Sequence, residues 1–306
     1  MRETTAAFTP MTREKLAQRR EWTSGAAQAP RADVPFEEHM VPRVGCPADP
    51  GDVRVYAVNA RPGENRPAIL HIHGGGFTAS SAANSLPMMQ DLACELDVPV
   101  VTVDYRLAPE TIWSGSLEDN YSALLWTVEN AGRLGIDPSR IAVMGESAGG
   151  GHAALLTLAA RDRGEVSLAS QVLVYPMLDD RAGTSRPAPE HIGYFGWNPE
   201  ANRFGWESFL GMAPGGQDVP AAAVPARVED LAGLPPAFIC CGALDLFVEE
   251  DIAYASRLLA SGVPTELLIV PGAFHGFDMF VPDAAISRRF TAAKVDALRR
   301  GLGLDG

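Results

Sequence analysis

The sequence has little cysteine, no long apolar run, and too few basic residues to balance its acidic ones. Its four cysteines are Cys46, Cys94, Cys240 and Cys241. They form no CxxC pair and no Cys/His cluster with zinc spacing, so neither a disulfide framework nor a structural zinc site is expected. Cys240 and Cys241 lie inside the apolar run PPAFICCGAL and read as free thiols on a buried strand. No stretch reaches the roughly 18 apolar residues of a membrane span. The opening residues, MRETTAAFTPMTREK, contain no apolar leader core, which leads to the expectation of no signal peptide and a cytoplasmic protein. Against 38 acidic residues stand 25 basic ones, a formal net charge of −13. A surface that acidic repels nucleic acid and anionic lipid, so neither nucleic acid nor membrane is expected as a partner. It also weakly disfavours anionic substrates. No internal repeat and no long low-complexity segment occurs.

What the chain does have is length and alternation. With 306 residues, 46% of them hydrophobic, it can bury a full enzyme core without disulfides or metals. Short β-branched runs alternate with helical segments. VRVYAV (53–58), PAILHIH (67–73), residues 99–103, 140–144, QVLVYP, PAFICC and TELLIV read as strands. Residues 11–22, 84–96, 117–132, 147–163, 249–259 and 287–300 read as helices. That pattern means βαβ units and an α/β protein with a mostly parallel sheet flanked by helices. About 60 residues rich in Gly, Pro and aromatics interrupt the rhythm between QVLVYP and PAFICC, and a connection that long is usually a lid or functional insertion. Residues 180–225 are therefore expected to form a cap, joined by residues 1–45 as its N-terminal part, over a catalytic domain made of 46–179 and 226–306.

The strongest chemical signal is IAVMGESAGGGHAALL. A strand ends at Gly145-Glu146-Ser147-Ala148-Gly149 and a helix begins at once, the G-x-S-x-G nucleophile elbow. The turn must be sharp, and side chains at Gly145 or Gly149 would collide with neighbouring backbone. The reward is a hydroxyl at a helix N-terminus, where the dipole and free N–H groups favour negative charge. A second signal is HIHGGGF (71–77), directly after a strand. Consecutive glycines expose N–H groups that can stabilise an oxyanion. A phosphate loop would need Lys-Ser/Thr after the glycines, and Phe77-Thr78 does not supply it. His73 reads as holding this loop. A nucleophilic serine needs a base and an orienting acid. Among six histidines, His275 in VPGAFHGFDMF stands on a Gly-flanked loop after the late strand TELLIV. His152 falls within the helix after the elbow and reads as packed. Asp245, in GALDLFVEED, follows the strand PAFICC at the edge where open α/β sheets place their sites. Glu249, Glu250 and Asp251 read as the acidic first turn of the next helix. Asp104 and Arg106 in DYRLAPE read as a structural charged pair.

HGGGF, DYRLAPE (104–110), LEDNYSAL (117–124), GESAGG and FHGF, in that order, resemble the hormone-sensitive-lipase-like branch of microbial carboxylesterases, from about residue 53 to the C-terminus. The resemblance implies the α/β-hydrolase fold with a helical cap. It implies Ser147 as nucleophile, Asp245 as acid and His275 as base, with Gly75, Gly76 and Ala148 as the oxyanion hole. Leu246 stands where the family has a proline after the acid, and TIWSGS alters the segment after RLAPE. Phe77, Trp206 and Phe277 are the candidate substrate-binding residues. The expected function is hydrolysis of small or short-to-medium acyl esters through an acyl-enzyme, with a small-molecule ester as partner and no cofactor or metal. A homodimer stays open. Two other readings stay open as well: a serine hydrolase of amide, carbamate or lactone bonds, and a non-catalytic small-molecule receptor on the same fold.

Overall fold

The computed structural model describes residues 12–25, 28–45 and 50–305. Eight strands make one sheet: β1 (Phe36–Pro42), β2 (Asp52–Val58), β3 (Arg66–Ile72), β4 (Val100–Asp104), β5 (Ile136–Glu146), β6 (Ser170–Val174), β7 (Ala237–Gly242) and β8 (Thr265–Val270). Their spatial order is β1-β2-β4-β3-β5-β6-β7-β8. β2 pairs antiparallel with β1 and β4, and every other pairing is parallel. The interior strands read as continuous apolar runs because both of their faces are covered. Alternate residues serve opposite cores: Ile69 points to one, and Ala68, Leu70 and Ile72 to the other.

α2 (Ala82–Leu96) and α9 (Ala285–Gly301) cover the first face. α3 (Trp113–Glu129), α5 (Ala148–Arg163) and α7 (Val248–Ala260) cover the second. Each fully buried Val, Leu, Ile or Phe side chain in these layers is worth about 1.5–3 kcal/mol before entropy is counted. Helix ends follow local chemistry. Ser81 caps α2 by accepting the Asn84 N–H at 3.3 Å, and Gly164 ends α5 in the left-handed region.

The strand expected at 53–58 and the later strands and helices occupy the positions read from the sequence, with ends shifted by a few residues. Two differences matter. Residues 36–42, grouped by the sequence reading with the cap, pair with β2 as the edge strand of the sheet. Their outward side chains are mostly exposed, so they lack the apolar run that marks the inner strands. The helix expected at 117–132 begins at Trp113, stops at Glu129, and is followed by the short α4 (Ala131–Leu134). The expected N-terminal helix is seen as α1 (Leu16–Gly25) after a single 3-10 turn, Arg13–Lys15. Met11 lies outside the described residues. In residues 180–225 one longer helix forms, α6 (Pro199–Leu210), amid turns. The base of this segment is clamped: buried Asp180 binds the Arg227 guanidinium at 2.6 Å and accepts the Gly215 N–H.

β3 lies between β4 and β5. The chain leaves β3 in one direction and later returns on its other side, so the carboxyl ends of β3 and β5 flank a topological switch point, where open α/β sheets place their binding crevice. HIHGGGF leaves the end of β3, and GESAG leaves the end of β5.

Candidate active site

The elbow is built as its glycines require. Ser147 has φ +56 and ψ −121, a strained conformation for a residue with a side chain. Three backbone bonds hold it: its N–H donates to Val174 O at 2.9 Å, and its carbonyl accepts from Gly151 and Met177. A Cβ at Gly145 would overlap the Gly149 carbonyl, and one at Gly149 would overlap the carbonyls of Ile72 and His73. The closeness of 149 to 72–73 seats the loop after β3 against the elbow. Gly74 continues that contact, its Cα facing Glu146 O and Ser147 Cβ.

Ser147 Oγ lies 2.9 Å from His275 Nε2. His275 Nδ1 lies 2.8 Å from Asp245 Oδ2, and Asp245 Oδ1 accepts the Phe247 N–H at 3.0 Å. A carboxylate can only accept, so Nδ1 carries the proton and Nε2 presents a lone pair to the serine hydroxyl. The imidazole is boxed in by Tyr175 at 4.8 Å, Phe247 at 5.1 Å and Trp197 at 6.3 Å between ring centres. Asp245 is fully buried, and Ser147 and His275 nearly so.

Gly75 and Gly76 both take positive φ, +124 and +62, and a side chain at Gly75 would strike the Ala79 carbonyl. The backbone N–H groups of Gly75, Gly76 and Ala148 donate to no group among the described residues. Three free donors beside a serine hydroxyl are suited to a developing oxyanion. His73 braces this loop. Its Nδ1 donates to Gly74 O at 2.8 Å, its ring stacks on Tyr105 at 4.3 Å, and the Tyr105 hydroxyl donates to His73 O. Burial pulls the His73 imidazole down to about 4, so it stays neutral.

The three aromatics read as substrate-binding are buried. Phe77 stacks on Phe209 at 3.9 Å and meets Trp206 edge-on. Phe277, which opens the short α8 (Phe277–Phe280), packs on Phe290 of α9. Their rings are spent on one another and on the core, and none shows appreciable exposed surface. Trp197 does reach the loop: a Cβ at Gly76 would overlap its six-membered ring. His152 lies among Phe77, Tyr105 and Phe209 with both nitrogens unpaired, and burial pulls it down to about 3. Asp104 and Arg106 each serve a helix of their own. Asp104 caps α2 through the Ala82 N–H, and Arg106 grips Asp119 with a fork of bonds of 2.8–3.1 Å. Glu250 and Asp251 are in the first turn of α7, yet both are buried. Burial pushes their carboxyls well above the ordinary range, and Glu250 accepts the N–H groups of Leu178 and Asp179. Cys240 and Cys241 are buried free thiols on β7, Cys94 is an exposed free thiol, and Cys46 lies outside the described residues.

Behind the site are groups that sequence reasoning missed. His71 Nε2 lies 2.8 Å from Glu146 Oε2, and His71 Nδ1 lies 2.8 Å from Thr102 Oγ1. The Tyr175 hydroxyl donates to Asp278 Oδ1 at 3.1 Å, and Lys294 Nζ donates to Asp278 Oδ2 at 2.8 Å. Only the identity of Glu146, a carboxylate inside a buried elbow, signalled that a polar partner was needed. Among the described residues no group of three His, Cys, Asp or Glu side chains converges to hold a metal ion, and no helix is long and apolar enough to cross a membrane.

A family profile described as the α/β-hydrolase fold matches residues 69–279. Carboxylesterase NlhH of Mycobacterium tuberculosis is 36% identical over 248 residues, 78% of this chain and 75% of that protein. An ethyl acetate hydrolase of Pseudomonas putida is 30% identical over 274 residues, 82% of this chain and 84% of that protein. Among solved structures, a bacterial heroin esterase superposes with a TM-score of 0.86 at 39% identity, covering 94% of this chain and 92% of that one.

Proposed function

Because the chain belongs to the hormone-sensitive-lipase-like carboxylesterases of the α/β-hydrolase fold and is a carboxylic ester hydrolase, we propose that Ser147, His275 and Asp245 perform the hydrolysis and that its substrates are small or short-to-medium acyl esters. The observation that carries the assignment is the unbroken relay from Ser147 Oγ to His275 Nε2 at 2.9 Å and from His275 Nδ1 to Asp245 at 2.8 Å. Beside it lie the free N–H groups of Gly75, Gly76 and Ala148.

In this reading His275 Nε2 accepts the hydroxyl proton as Ser147 Oγ bonds to the ester carbonyl carbon. The carbonyl oxygen takes up the electron pair and is held by the N–H groups of Gly75, Gly76 and Ala148. Asp245 keeps the imidazole in its tautomer and offsets its charge. The tetrahedral centre collapses, the ester C–O bond breaks, and His275 gives its proton to the departing alcohol. Water then repeats the sequence on the acyl-enzyme, with His275 again as base. The short-acyl part of the reading is supported by the aromatic layer at residues 194–209 and by the name of the Pseudomonas relative. We assign α1 and residues 180–225 to a cap over this site.

The test is a fluorophosphonate label followed by peptide mapping, with a panel of acyl esters, amides and lactones. The adduct is expected on Ser147, and Ser147→Ala is expected to lose labelling and about 10⁴-fold or more in kcat while keeping its thermal transition. An adduct on a different serine, or full turnover by Ser147→Ala, would overturn the assignment.

A further inference from the structure

Two adjacent arginines on α1 meet opposite surroundings. Arg20 is fully engaged. Its Nε donates to Thr78 O at 2.8 Å, its Nη2 to Ala108 O at 2.9 Å, and its fork grips the Glu110 carboxylate at 2.7–2.8 Å. This fastens α1 onto the loop that carries Gly75 and Gly76. Arg19, turned about 100° from it around the helix, points elsewhere. Its guanidinium carbon lies 5.8 Å from the centre of the Trp197 ring. Its Nε is buried with no hydrogen-bond partner, and it forms no ion pair with any described residue. Burial lowers its pKa, the mark of a cation short of compensation.

Other half-buried arginines are matched by carboxylates, as Arg66 is by Glu64, Arg106 by Asp119 and Arg227 by Asp180, or by backbone carbonyls, as Arg257 is by those of Ala226 and Val228. That is the usual requirement for drawing a charge out of water, and Arg19 does not meet it from within the chain. Its neighbour Trp197 is the residue whose ring lies against Gly76 and 6.3 Å from the ring of His275. One indole thus separates an uncompensated cation from the reacting centre, in a protein whose net charge of −13 would otherwise repel anions.

We propose that Arg19 is a substrate-recognition residue for esters that carry a carboxylate, such as monoesters of a dicarboxylic acid, the guanidinium fork taking the free carboxylate while the ester lies at Ser147. The proposal rests on the Ser147 reading for the position of the ester and on Arg19 alone for the anion preference. A planar fork with free N–H donors matches a carboxylate better than it matches a neutral carbonyl. The cation–π contact with Trp197 keeps the guanidinium oriented without neutralising it.

The experiment compares kcat/KM for the mono-p-nitrophenyl esters of succinate, glutarate and adipate with those for the butanoate, pentanoate and hexanoate esters of matching length, in the full chain. The best anionic-to-neutral ratio is expected to fall about tenfold or more in Arg19→Met, the size of one lost charge-assisted hydrogen bond. Arg19→Lys, which keeps the charge and loses the fork, should fall between. Neutral ester turnover and the thermal transition should stay within twofold and a few degrees. An unchanged ratio across all three lengths, or a parallel fall for the neutral esters, would overturn the proposal. Calorimetric binding of glutarate dianion to Ser147→Ala, with and without Arg19→Met, separates the two readings. Weaker binding on loss of Arg19 supports the anion site even if Ser147 is not the nucleophile. Equal binding sinks the anion site even if Ser147 is.

Discussion

The loop at 73–78 and the elbow at 145–149 pack backbone against backbone at their glycines, whereas the layer above them, made by α1 and α6, is held mainly through side chains. Below, carbonyls of Ile72, His73, Ala79 and Gly149 occupy the space where a Cβ would go at Gly75, Gly145 and Gly149. Above, the contacts are Trp197 Nε1 donating to Asn202 at 3.0 Å, the Phe77–Phe209 stack, and the Arg20–Glu110 fork. Backbone packing gives a floor with one allowed geometry. Side-chain packing gives a roof that can be rebuilt with other residues, and so could be tuned to a substrate without disturbing the proposed triad.

The sharpest way to break this comparison is a single methyl group in each layer. Gly149→Ala puts a Cβ into the carbonyls of Ile72 and His73, which belong to β3 and the glycine loop and cannot withdraw separately. We expect a loss of about 3 kcal/mol or more of stability and about 100-fold or more in kcat, since a displacement near 1 Å at the reacting groups costs that much. Gly216→Ala, in the 180–225 segment that carries α6, meets nothing within 4 Å and should change stability by no more than about 0.5 kcal/mol. Melting curves and steady-state rates for the two variants decide it. Equal tolerance would show that the floor yields as easily as the roof.

The same contrast explains what was legible in the sequence. The floor is written in contiguous residues: glycines that admit close backbone, a serine between a strand and a helix, an acid and a histidine each just past a strand. His275 and Asp245 could be chosen because loops at the carboxyl ends of parallel strands converge on one edge. The roof is written in distant pairs. Nothing near Arg20 in sequence announces Glu110, 90 residues away, and nothing near Asp180 announces Arg227. Phe77 and Trp206 looked available to a substrate because their chemistry allows it, but burial is decided by what α6 packs against, and no local pattern carries that. β1 escaped notice for a related reason: an edge strand with one wet face has little apolar signature.

His152 sits on the seam, on α5 below and edge-on to both Phe77 and Phe209, one from each of the layers it joins. Its folded pKa of about 3 lies below the roughly 6.5 of an unfolded histidine. Above that unfolded value neither state binds the proton, and the neutral ring contributes its full packing. As pH falls toward 3 the unfolded chain takes up a proton that the folded one refuses, so stability is lost, about 2 kcal/mol of it by pH 5. Glu250 and Asp251, whose carboxyls burial pushes up, act with the opposite sign, since their contribution is lost as pH rises. A comparison between proteins at each pH cancels them. The stability difference between wild type and His152→Leu, from urea titrations at pH 7 and pH 5, should therefore move by about 2 kcal/mol in favour of the variant at the lower pH. No movement would mean that the ring is hydrated and the seam is open.

The smallest expected effect concerns how far the roof lets an acyl chain extend. Trp197, Trp206 and Phe209 are nearly or fully buried, with Trp197 against the glycine loop and Phe77 locked to Phe209 beneath. Rings so packed cannot swing aside without opening the layer, so the space beside Ser147 should be bounded, in the range of roughly 300–1,000 Å³ typical of enclosed ligand sites. Each methylene added to the acyl group gains about 0.8 kcal/mol while it is buried, a few-fold in kcat/KM, and gains nothing or clashes once the wall is reached. The profile against acyl length is therefore expected to rise and then drop, at or below about eight carbons by this cavity argument. Trp197→Leu should move the drop to longer chains and leave the shortest esters nearly unchanged, because the indole bounds the space while its own hydrogen bond goes to Asn202 and to neither Ser147 nor His275. A steady rise through dodecanoyl and palmitoyl esters in the wild type, or a jump in rate when the substrate passes into emulsion, would show that the roof opens onto a lipid surface. The division between a fixed floor and a fitted roof would then have to be redrawn, with the upper layer moving in each turnover instead of setting the length of what can enter.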